Sequence, residues 1–271
     1  MNYVETMGGL GNQIFQYVFS RYIQKNTGKT VLLHINFFEY VKYVPGATVR
    51  SFDLDKFNTK YISVNGNISV EKIVGEKDFS VDNTDDSVDW AFFRGYWQDK
   101  CFFTDVKSQI LRELSLKDKY ITEDMKKIED EVRNNESVSL HIRGTDYLQG
   151  ANINIFESLG FDYYNQALSY IKNNSNNPLK IYVFTDDVSH AESILKGLGD
   201  INFKILDKAE PYQDLWLMSK MKHHIIANSS YSYWGAAMGE ANEYNGITVA
   251  PKKWFKQSQG PDLYLEGWEI I

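Results

Sequence analysis

Apolar and polar positions along the chain follow the spacings of alternating strands and helices. In the first half these spacings predict strands at 3–4, 31–35 and 90–96 and helices near 12–26, 103–115 and 121–134. The stretch 36–90 has no clear period, and its acidic run at 81–87 is typical of an exposed loop.

The second half alternates more regularly. It predicts strands at 137–142, 180–185, 202–206, 223–227 and 247–250 and helices near 162–173, 187–198, 211–221 and 230–242. Such alternation implies parallel strands with helices on both faces, an α/β fold. The charged stretch 123–136 is expected to carry the chain from a first domain, 1–135, to a second, 136–271. This pattern alone also fits a single doubly wound domain.

Polar side chains follow the predicted strand 137–142. His141 and Arg143 lie two residues apart at its end, and open α/β sheets bind ligands at the carboxyl ends of their strands. An arginine there can hold a phosphate with two parallel hydrogen bonds. The segment predicts either a diphosphate site or a structural Arg–Asp pair that closes a loop.

A glycine-rich turn separates the first strand from the first helix. Gly8, Gly9 and Gly11 allow close approach of the backbone to a ligand, and free amides at a helix start attract anions. The turn lacks the G-x-G-x-x-G spacing of dinucleotide-binding folds, and no P-loop lysine follows it.

Composition narrows the function classes. A net charge of −7 and a pI near 5.3 argue against a nucleic-acid partner. The single Cys101 excludes an intrachain disulfide and a cysteine-based zinc cluster. No apolar segment approaches the roughly 18 residues that span a bilayer, and no signal peptide is apparent, so a soluble protein is expected. Aromatic residues make up 15% of the chain, enough for a core and for stacking on sugars.

Five motifs in order along the chain carry a family resemblance. They are Gly8–Gln16, Gly95–Gln98, His141–Tyr147, Phe184–Asp187 and Asn228–Gly235. Together they resemble the bacterial α-1,2-fucosyltransferases of glycosyltransferase family 11, over residues 7 to about 255. Many relatives carry two adjacent arginines before the aspartate (H-x-R-R-x-D), whereas here Gly144 replaces the second. Arg143 is therefore taken as the phosphate ligand, and the departure bears on donor affinity rather than donor identity.

The resemblance implies a GT-B-like architecture of two Rossmann-like domains facing a cleft, with acceptor-side residues in 1–135 and the GDP-sugar site in 136–271. It implies an inverting transfer of L-fucose from GDP-fucose to the 2-hydroxyl of a terminal galactose in a surface glycan, such as lipopolysaccharide or O-antigen. No cofactor or metal is expected, since Asp53 and Asp55 have metal-motif spacing but fit a surface loop. The expected location is the bacterial cytoplasm, with peripheral membrane association. Alternatives are another linkage, another nucleotide-sugar GT-B enzyme, or a non-enzymatic sugar-binding module.

Site residues fall into three groups. The predicted catalytic residues are Arg143, Asp146 and His141; the donor-binding residues are Gly9, Gly11, Asn12, Asp186, Asp187, Ser229 and Ser230; the acceptor-binding residues are Arg94, Tyr96, Trp97 and Gln98.

Each group has a structural alternative. One of Asp186 and Asp187 is expected to read guanine, because a carboxylate accepts from its ring N–H and amino group, and the other to cap a helix. Asp146 is either the base that takes the acceptor proton or a partner that orients Arg143 or His141. The residues after Asn228 serve either phosphate binding or helix packing, and the aromatic residues at 96–97 bind acceptor or belong to the core.

Overall fold

The computed structural model describes residues 1–80, 90–144, 155–242, 244–257 and 260–271. The chain forms two compact units, Met1–Lys117 and Asp118–Ile271. The boundary therefore falls earlier than the predicted 135/136. The reason is that helix Glu123–Arg133 belongs to the second unit, where Lys220 Nζ lies 3.2 Å from Glu129 and Lys180 pairs with Glu131.

The first unit is a parallel sheet with helices. Its strands are β1 (Asn2–Glu5), β2 (Val31–His34), β3 (Ser63–Val64), β4 (Lys72–Gly75) and β5 (Ala91–Arg94), and its α-helices are α1 (Leu10–Thr27), α2 (Phe37–Tyr40) and α3 (Lys100–Glu113). The strand order is β3-β2-β1-β5-β4, and every pair is parallel. The carboxyl ends of β1 and β5 are thus neighbours at the centre of one edge.

Helix α1 is the main support of this sheet. Its apolar residues are buried along nearly the whole length, and Gly28 ends it in the left-handed conformation (φ 67°), donating its amide to the carbonyl of Gln24. Phe19 of α1 lies at the centre of an aromatic cluster with Tyr22, Phe79, Phe93, Trp97 and Phe102.

The second unit is a six-stranded sheet. Its strands are β6 (Glu136–Ile142), β7 (Leu179–Thr185), β8 (Phe203–Ile205), β9 (His223–Ile225), β10 (Thr248–Ala250) and β11 (Glu269–Ile270), and its helices are α4 (Glu123–Arg133), α5 (Phe161–Asn173), α6 (Val188–Gly197), α7 (Pro211–Lys220) and α8 (Ser230–Gly239). The order is β11-β10-β9-β6-β7-β8, all parallel. The core joins alternate residues of β6 and β7 to the buried faces of α5 and α6.

The predicted α/β class with two Rossmann-like units is confirmed. Strands β3, β4 and β11 and the short helix α2 were not predicted. Strand β4 begins with two exposed residues, Lys72 and Ile73, so it lacks the alternation that marks a half-buried strand. No helix within the described ranges is long and apolar enough to cross a membrane.

Candidate functional site

An ion pair lies at the carboxyl edge of the second sheet. The last residues of β6 and β7, Ile142 and Thr185, are register partners, so Arg143 and Asp186 leave the sheet side by side. One Asp186 oxygen lies 3.0 Å from Nη1 of Arg143, and the other accepts a hydrogen bond from the Gly144 amide at 2.8 Å. The carboxylate therefore fixes one edge of the guanidinium where open α/β sheets bind ligands.

The neighbouring carboxylate has a different task. Asp187 is the N-cap of α6 and accepts a hydrogen bond from the His190 amide at 3.0 Å. The Thr185 hydroxyl accepts from the Asp187 amide at 3.0 Å and closes the same turn. The structure thus separates two aspartates that the sequence left equivalent: Asp187 caps the helix and Asp186 holds Arg143. Guanine recognition by either stays a prediction.

Gly144 explains the departure from the two-arginine pattern. A Cβ atom at this position would lie 2.6 Å from the Cβ of Asp187, closer than two such carbons approach. Asp187 is held by its cap, so it has little freedom to retreat. This backbone has no room for a second arginine beside Arg143.

His141 is buried beside this ion pair. Only 4% of the residue is exposed, and its Nδ1 has no hydrogen-bond partner within the described ranges. Burial and then the Arg143 charge lower the pKa of His141 to about 3, against an opposing effect of Asp186. The imidazole is therefore neutral near pH 7 and a weak base, and its catalytic role stays a prediction.

The start of α8 has largely structural hydrogen bonds. The buried Asn228 side-chain amide donates to the carbonyls of Glu157 and Trp254, both at 2.9 Å. Ser229 caps α8, its hydroxyl accepting from the amide two residues on at 3.3 Å. Ser230 is the first residue of the helix and is partly exposed. Phosphate binding by Ser229 or Ser230 stays a prediction.

Small residues in α8 allow close packing, as expected, but against two different elements. A Cβ atom on Gly235 would lie 2.8 Å from the Cβ of Met218 in α7. One on Gly239 would lie 2.6 Å from Nε2 of His224 in the sheet. Gly235 and Gly239 therefore have a packing role.

The predicted base, Asp146, lies outside the described residues.

A second carboxylate, Asp214 in the first turn of α7, was not predicted from the sequence, because an acid in a first helical turn is ordinary. Burial raises the pKa of Asp214 to about 6, although the Ala209 backbone and Lys208 lower it. Its Oδ1 has no partner among the residues that the structure describes. Within those same residues, no three His, Cys, Asp or Glu side chains are grouped as metal ligands.

The first unit places the glycine turn at the carboxyl edge of its own sheet. Gly8 has a φ of 79°, which favours glycine, and Gly9 is the N-cap of α1. No atom outside the adjacent residues lies within 4 Å of a Cβ built on Gly9. Gly11 is buried inside the helix, and the side chain of Asn12 accepts a hydrogen bond from Gln98 at 2.9 Å. Donor binding by this turn stays a prediction.

Two buried glutamines of α1 tie loops to the helix. The amide group of Gln13 donates to the carbonyls of Gly8 and Ser51 at 3.1 and 2.8 Å, and its oxygen accepts from the Asp53 amide at 2.9 Å. These glutamines belong to the first motif of the family resemblance, but the sequence alone predicts no role for them. Full burial of polar side chains in a helix is the structural signal that identifies them.

Gln16 ties the turns that follow β1 and β5 to helix α1. Its oxygen accepts from the Met7 amide at 2.9 Å, and its nitrogen donates to the carbonyl of Gly95 at 3.1 Å.

The predicted acceptor loop after β5 is organised by Glu76. One oxygen of this carboxylate accepts from the amides of Tyr96 and Trp97, both at 2.5 Å. Gly95 is required beside it, because a Cβ there would lie 2.5 Å from Glu76. Arg94 pairs with Glu5 at 3.0 Å, and more than half of its side chain is exposed.

The acceptor prediction is wrong for Trp97. Its indole is 2% exposed and stacks on Phe19 with ring centroids 3.8 Å apart, so it is a core residue and is not available to a sugar. Tyr96, at 43% exposed, is the aromatic residue of this loop that reaches the surface. The acceptor roles of Arg94, Tyr96 and Gln98 stay predictions.

Comparison with known proteins identifies the family of this chain. Residues 67–271 match the family described as Glycosyl transferase family 11. An α-1,2-colitosyltransferase of Escherichia coli is 31% identical over 279 aligned positions, which cover 93% of this chain and 91% of that protein. The E. coli O-antigen biosynthesis glycosyltransferase WbnK is 28% identical and covers 96% of this chain and 97% of its own.

The fold is also found in a solved structure. The crystal structure of the fucosyltransferase NodZ from Bradyrhizobium matches with a TM-score of 0.54 at 11% identity, over 86% of this chain and 91% of that one. With the two parallel sheets, this likeness confirms the predicted GT-B-like fold. Because the family match covers most of the chain, this protein belongs to glycosyltransferase family 11 and is a glycosyltransferase.

Proposed function

We propose that this protein is an inverting glycosyltransferase that moves L-fucose from GDP-fucose to the 2-hydroxyl of a terminal galactose in a surface glycan. The observation that carries the proposal is Arg143, held by Asp186 at the carboxyl edge of the second sheet in a chain of this family. A fixed cation at that edge suits a diphosphate leaving group.

Arg143 has the central role in this proposal. A guanidinium carries five N–H donors in a rigid plane, so an ion pair through Nη1 is compatible with phosphate binding elsewhere on the group. As the bond between sugar and diphosphate breaks, negative charge grows on the phosphate oxygens. A preoriented guanidinium stabilises that charge without reorganising.

The identity of the sugar rests on the relatives. The E. coli relative is named as an α-1,2-colitosyltransferase, which supports the 1,2 linkage but offers a second donor. Colitose is L-fucose without its 3-hydroxyl, so the two donors differ by one oxygen atom. A site that hydrogen-bonds this hydroxyl would reject the deoxy sugar, whereas a site without such a partner would accept both.

In the transfer itself, the acceptor hydroxyl attacks the anomeric carbon from the face opposite GDP, which inverts the configuration. The hydroxyl proton passes to a base, for which Asp146 is the proposed residue. Arg94, Tyr96 and Gln98 are the proposed acceptor contacts. The proposed reaction needs no divalent metal, since Arg143 and helix-start amides supply the positive charge. O-antigen is the proposed destination, in line with the name of the WbnK relative.

A donor panel tests this proposal. The purified protein is incubated with GDP-fucose, GDP-colitose, UDP-galactose or ADP-glucose, with lactose as acceptor, in EDTA and again in Mg²⁺. We expect transfer from GDP-fucose in both buffers, and a product linkage at the galactose 2-hydroxyl by NMR. Transfer from GDP-colitose but not from GDP-fucose would show that the donor sugar is colitose instead of fucose. Transfer from a UDP-sugar, or a different linkage, would contradict the proposal, and loss of activity in EDTA would contradict its metal independence.

A further inference from the structure

A cavity of about 420 Å³ lies in the first unit, within the usual size range of small-ligand pockets, and its lining residues are polar or charged. It is lined by Arg21, Asn58, Lys60, Gln109, Arg112 and Glu113. None of these residues belongs to the predicted donor or acceptor groups.

The cavity is separate from the glycine turn. Helix α1 begins at Leu10 at the carboxyl edge of the sheet, and Arg21 lies roughly 16 Å farther along its axis at 1.5 Å per residue. Glu113 is likewise the last residue of α3, which begins at Lys100 after the acceptor loop. Four of the lining residues therefore come from the later turns of these two helices, and Asn58 and Lys60 come from the segment before β3.

A buried carboxylate organises the cavity. Glu113 is 6% exposed and accepts hydrogen bonds from the Tyr17 hydroxyl, from Arg21 at 3.0 Å and from Gln109 at 2.9 Å. These bonds fix the positions of the guanidinium and of the side-chain amide. The charge of Glu113 is matched by Arg21, so the remaining cations are not needed to balance it.

Two cations around the cavity are in excess. Lys60 and Arg112 are exposed, and neither side chain has a hydrogen-bond or ion-pair partner within the described part of the chain. Arg21 adds a buried Nε donor that also has no acceptor there. Three cations therefore face one carboxylate, in a protein whose net charge is −7.

We infer that this cavity binds a small polyhydroxylated ligand through an anionic group, either a phosphate or a carboxylate. Lys60 and Arg112 supply the charge that an anion requires, and Arg21 adds a third cation to the lining. The side-chain nitrogens of Asn58 and Gln109 already donate to Ser115 and Glu113, and their side-chain oxygens can accept from hydroxyl groups of a ligand. The inference is independent of the proposed donor and acceptor, because it uses none of the residues assigned to them.

Calorimetric titration with four probes tests it: glucose 1-phosphate, glucuronate, neutral glucose and inorganic phosphate. The variant is Lys60→Gln combined with Arg112→Gln, which removes both excess cations at exposed positions. Lys72→Gln, at an exposed lysine of β4, controls for the loss of one positive charge and is compared with Arg112→Gln alone. Arg143→Gln controls for binding of the same probes in the second unit.

We expect glucose 1-phosphate or glucuronate to bind at least tenfold more tightly than glucose, and the double variant to lose at least tenfold of that affinity. Lys72→Gln should bind as the parent does, and any probe affinity that is lost in Arg143→Gln belongs to the second unit. The preferred probe then identifies the anionic group. Absence of binding by every probe, or equal binding by the double variant, would overturn the inference. Inorganic phosphate binding as tightly as the sugar phosphate would overturn the polyhydroxylated part. If the double variant melts early, Arg112→Gln alone gives the same comparison.

Discussion

The carboxylate of Asp186 lies 3.0 Å from the guanidinium of Arg143, although 42 residues separate them along the chain. Strand pairing brings them together, since β6 and β7 end at register partners. Both side chains are about four-fifths buried, so water and salt screen their attraction less than that of a surface ion pair.

Asp186→Asn keeps the shape of the side chain but removes its charge. A charge-assisted hydrogen bond contributes roughly 1.5–3 kcal/mol, so GDP affinity should fall by about ten- to a hundredfold as Arg143 loses its fixed position. Asp187→Asn is the matched control, because asparagine caps a helix as well as aspartate does. Calorimetry with GDP makes the comparison. A large loss in Asp187→Asn together with no loss in Asp186→Asn would reverse the two assignments.

Arg143→Lys preserves the charge and removes the planar fork. Turnover should fall by about ten- to a hundredfold while the melting temperature stays close to the parent value. Arg133→Lys, at an exposed arginine that pairs with Glu129, makes the same chemical change away from the sheet edge and should be neutral. Initial rates of transfer measure the effect, and parental turnover in Arg143→Lys would show that this arginine does not contact the diphosphate.

Gly144→Ala should destabilise the fold, because the new methyl group meets the Cβ of Asp187 at 2.6 Å. Overpacking of this kind costs about 1–3 kcal/mol. Asp187→Gly removes that carbon and, at an N-cap, should itself cost only a few tenths, about 0.3 kcal/mol. Denaturant unfolding of the two single variants and the double variant forms a cycle. The alanine should cost clearly less in the Asp187→Gly background, and strictly additive effects would contradict the proposed collision.

Asp146→Asn tests the proposed base. The amide keeps the size of the side chain but cannot accept the acceptor proton, so turnover should collapse while GDP affinity and thermal stability remain near those of the parent. A parallel fall in GDP affinity would instead indicate a role in donor binding. Substantial remaining transfer would eliminate Asp146 as the base.

Asp214 should make stability depend on pH. Its pKa rises from 3.8 to about 6 on folding, so the folded state holds its proton more tightly. The resulting stabilisation is present below pH 3.8 and is lost as the pH rises through about 6. At pH 7.5 the ionised group therefore lowers the free energy of unfolding by roughly 2–3 kcal/mol. This loss exceeds the approximately 0.3–1 kcal/mol by which a helix N-terminus stabilises an acidic side chain.

Asp214→Asn should therefore raise the melting temperature at pH 7.5 and leave it nearly unchanged at pH 4. Thermal melts at the two values, with Asp162→Asn in the first turn of α5 as control, make the comparison. An equal shift at both pH values would show that the effect of Asp214→Asn does not come from ionisation.

The sequence predicted the ligand edge of the second unit because that information is local. A buried strand followed by His141 and Arg143 needs no knowledge of the rest of the chain. The partner of Arg143 could not be predicted in the same way, since Asp186 reaches it only through the register of two strands. Backbone geometry also decides which of the two aspartates caps α6, and the sequence pattern does not distinguish the two positions.

Burial was harder to predict in the first unit. Trp97 lies between Tyr96 and Gln98 in the predicted acceptor loop. Its ring nevertheless stacks on the ring of Phe19 in α1, with an interplanar angle of 4°. Only tertiary packing decides between stacking on a sugar and stacking on a phenylalanine. Glu76 was unassigned for a related reason: it lies in the stretch without a clear period and acts on backbone amides twenty residues away.

Gln13 has a thermodynamic consequence for the first unit. Its side chain joins the glycine turn to the segment at 51–53, and these bonds form without any ligand. Ordering one backbone residue costs about 1–2 kcal/mol of conformational entropy. Here the turn and the segment at 51–53 are ordered when the protein folds, before any ligand binds. A molecule that arrives at this edge therefore meets a preorganised surface and keeps more of its interaction energy as affinity. Gln13→Glu could not donate to the carbonyls of Gly8 and Ser51, so it would return that cost to the binding step.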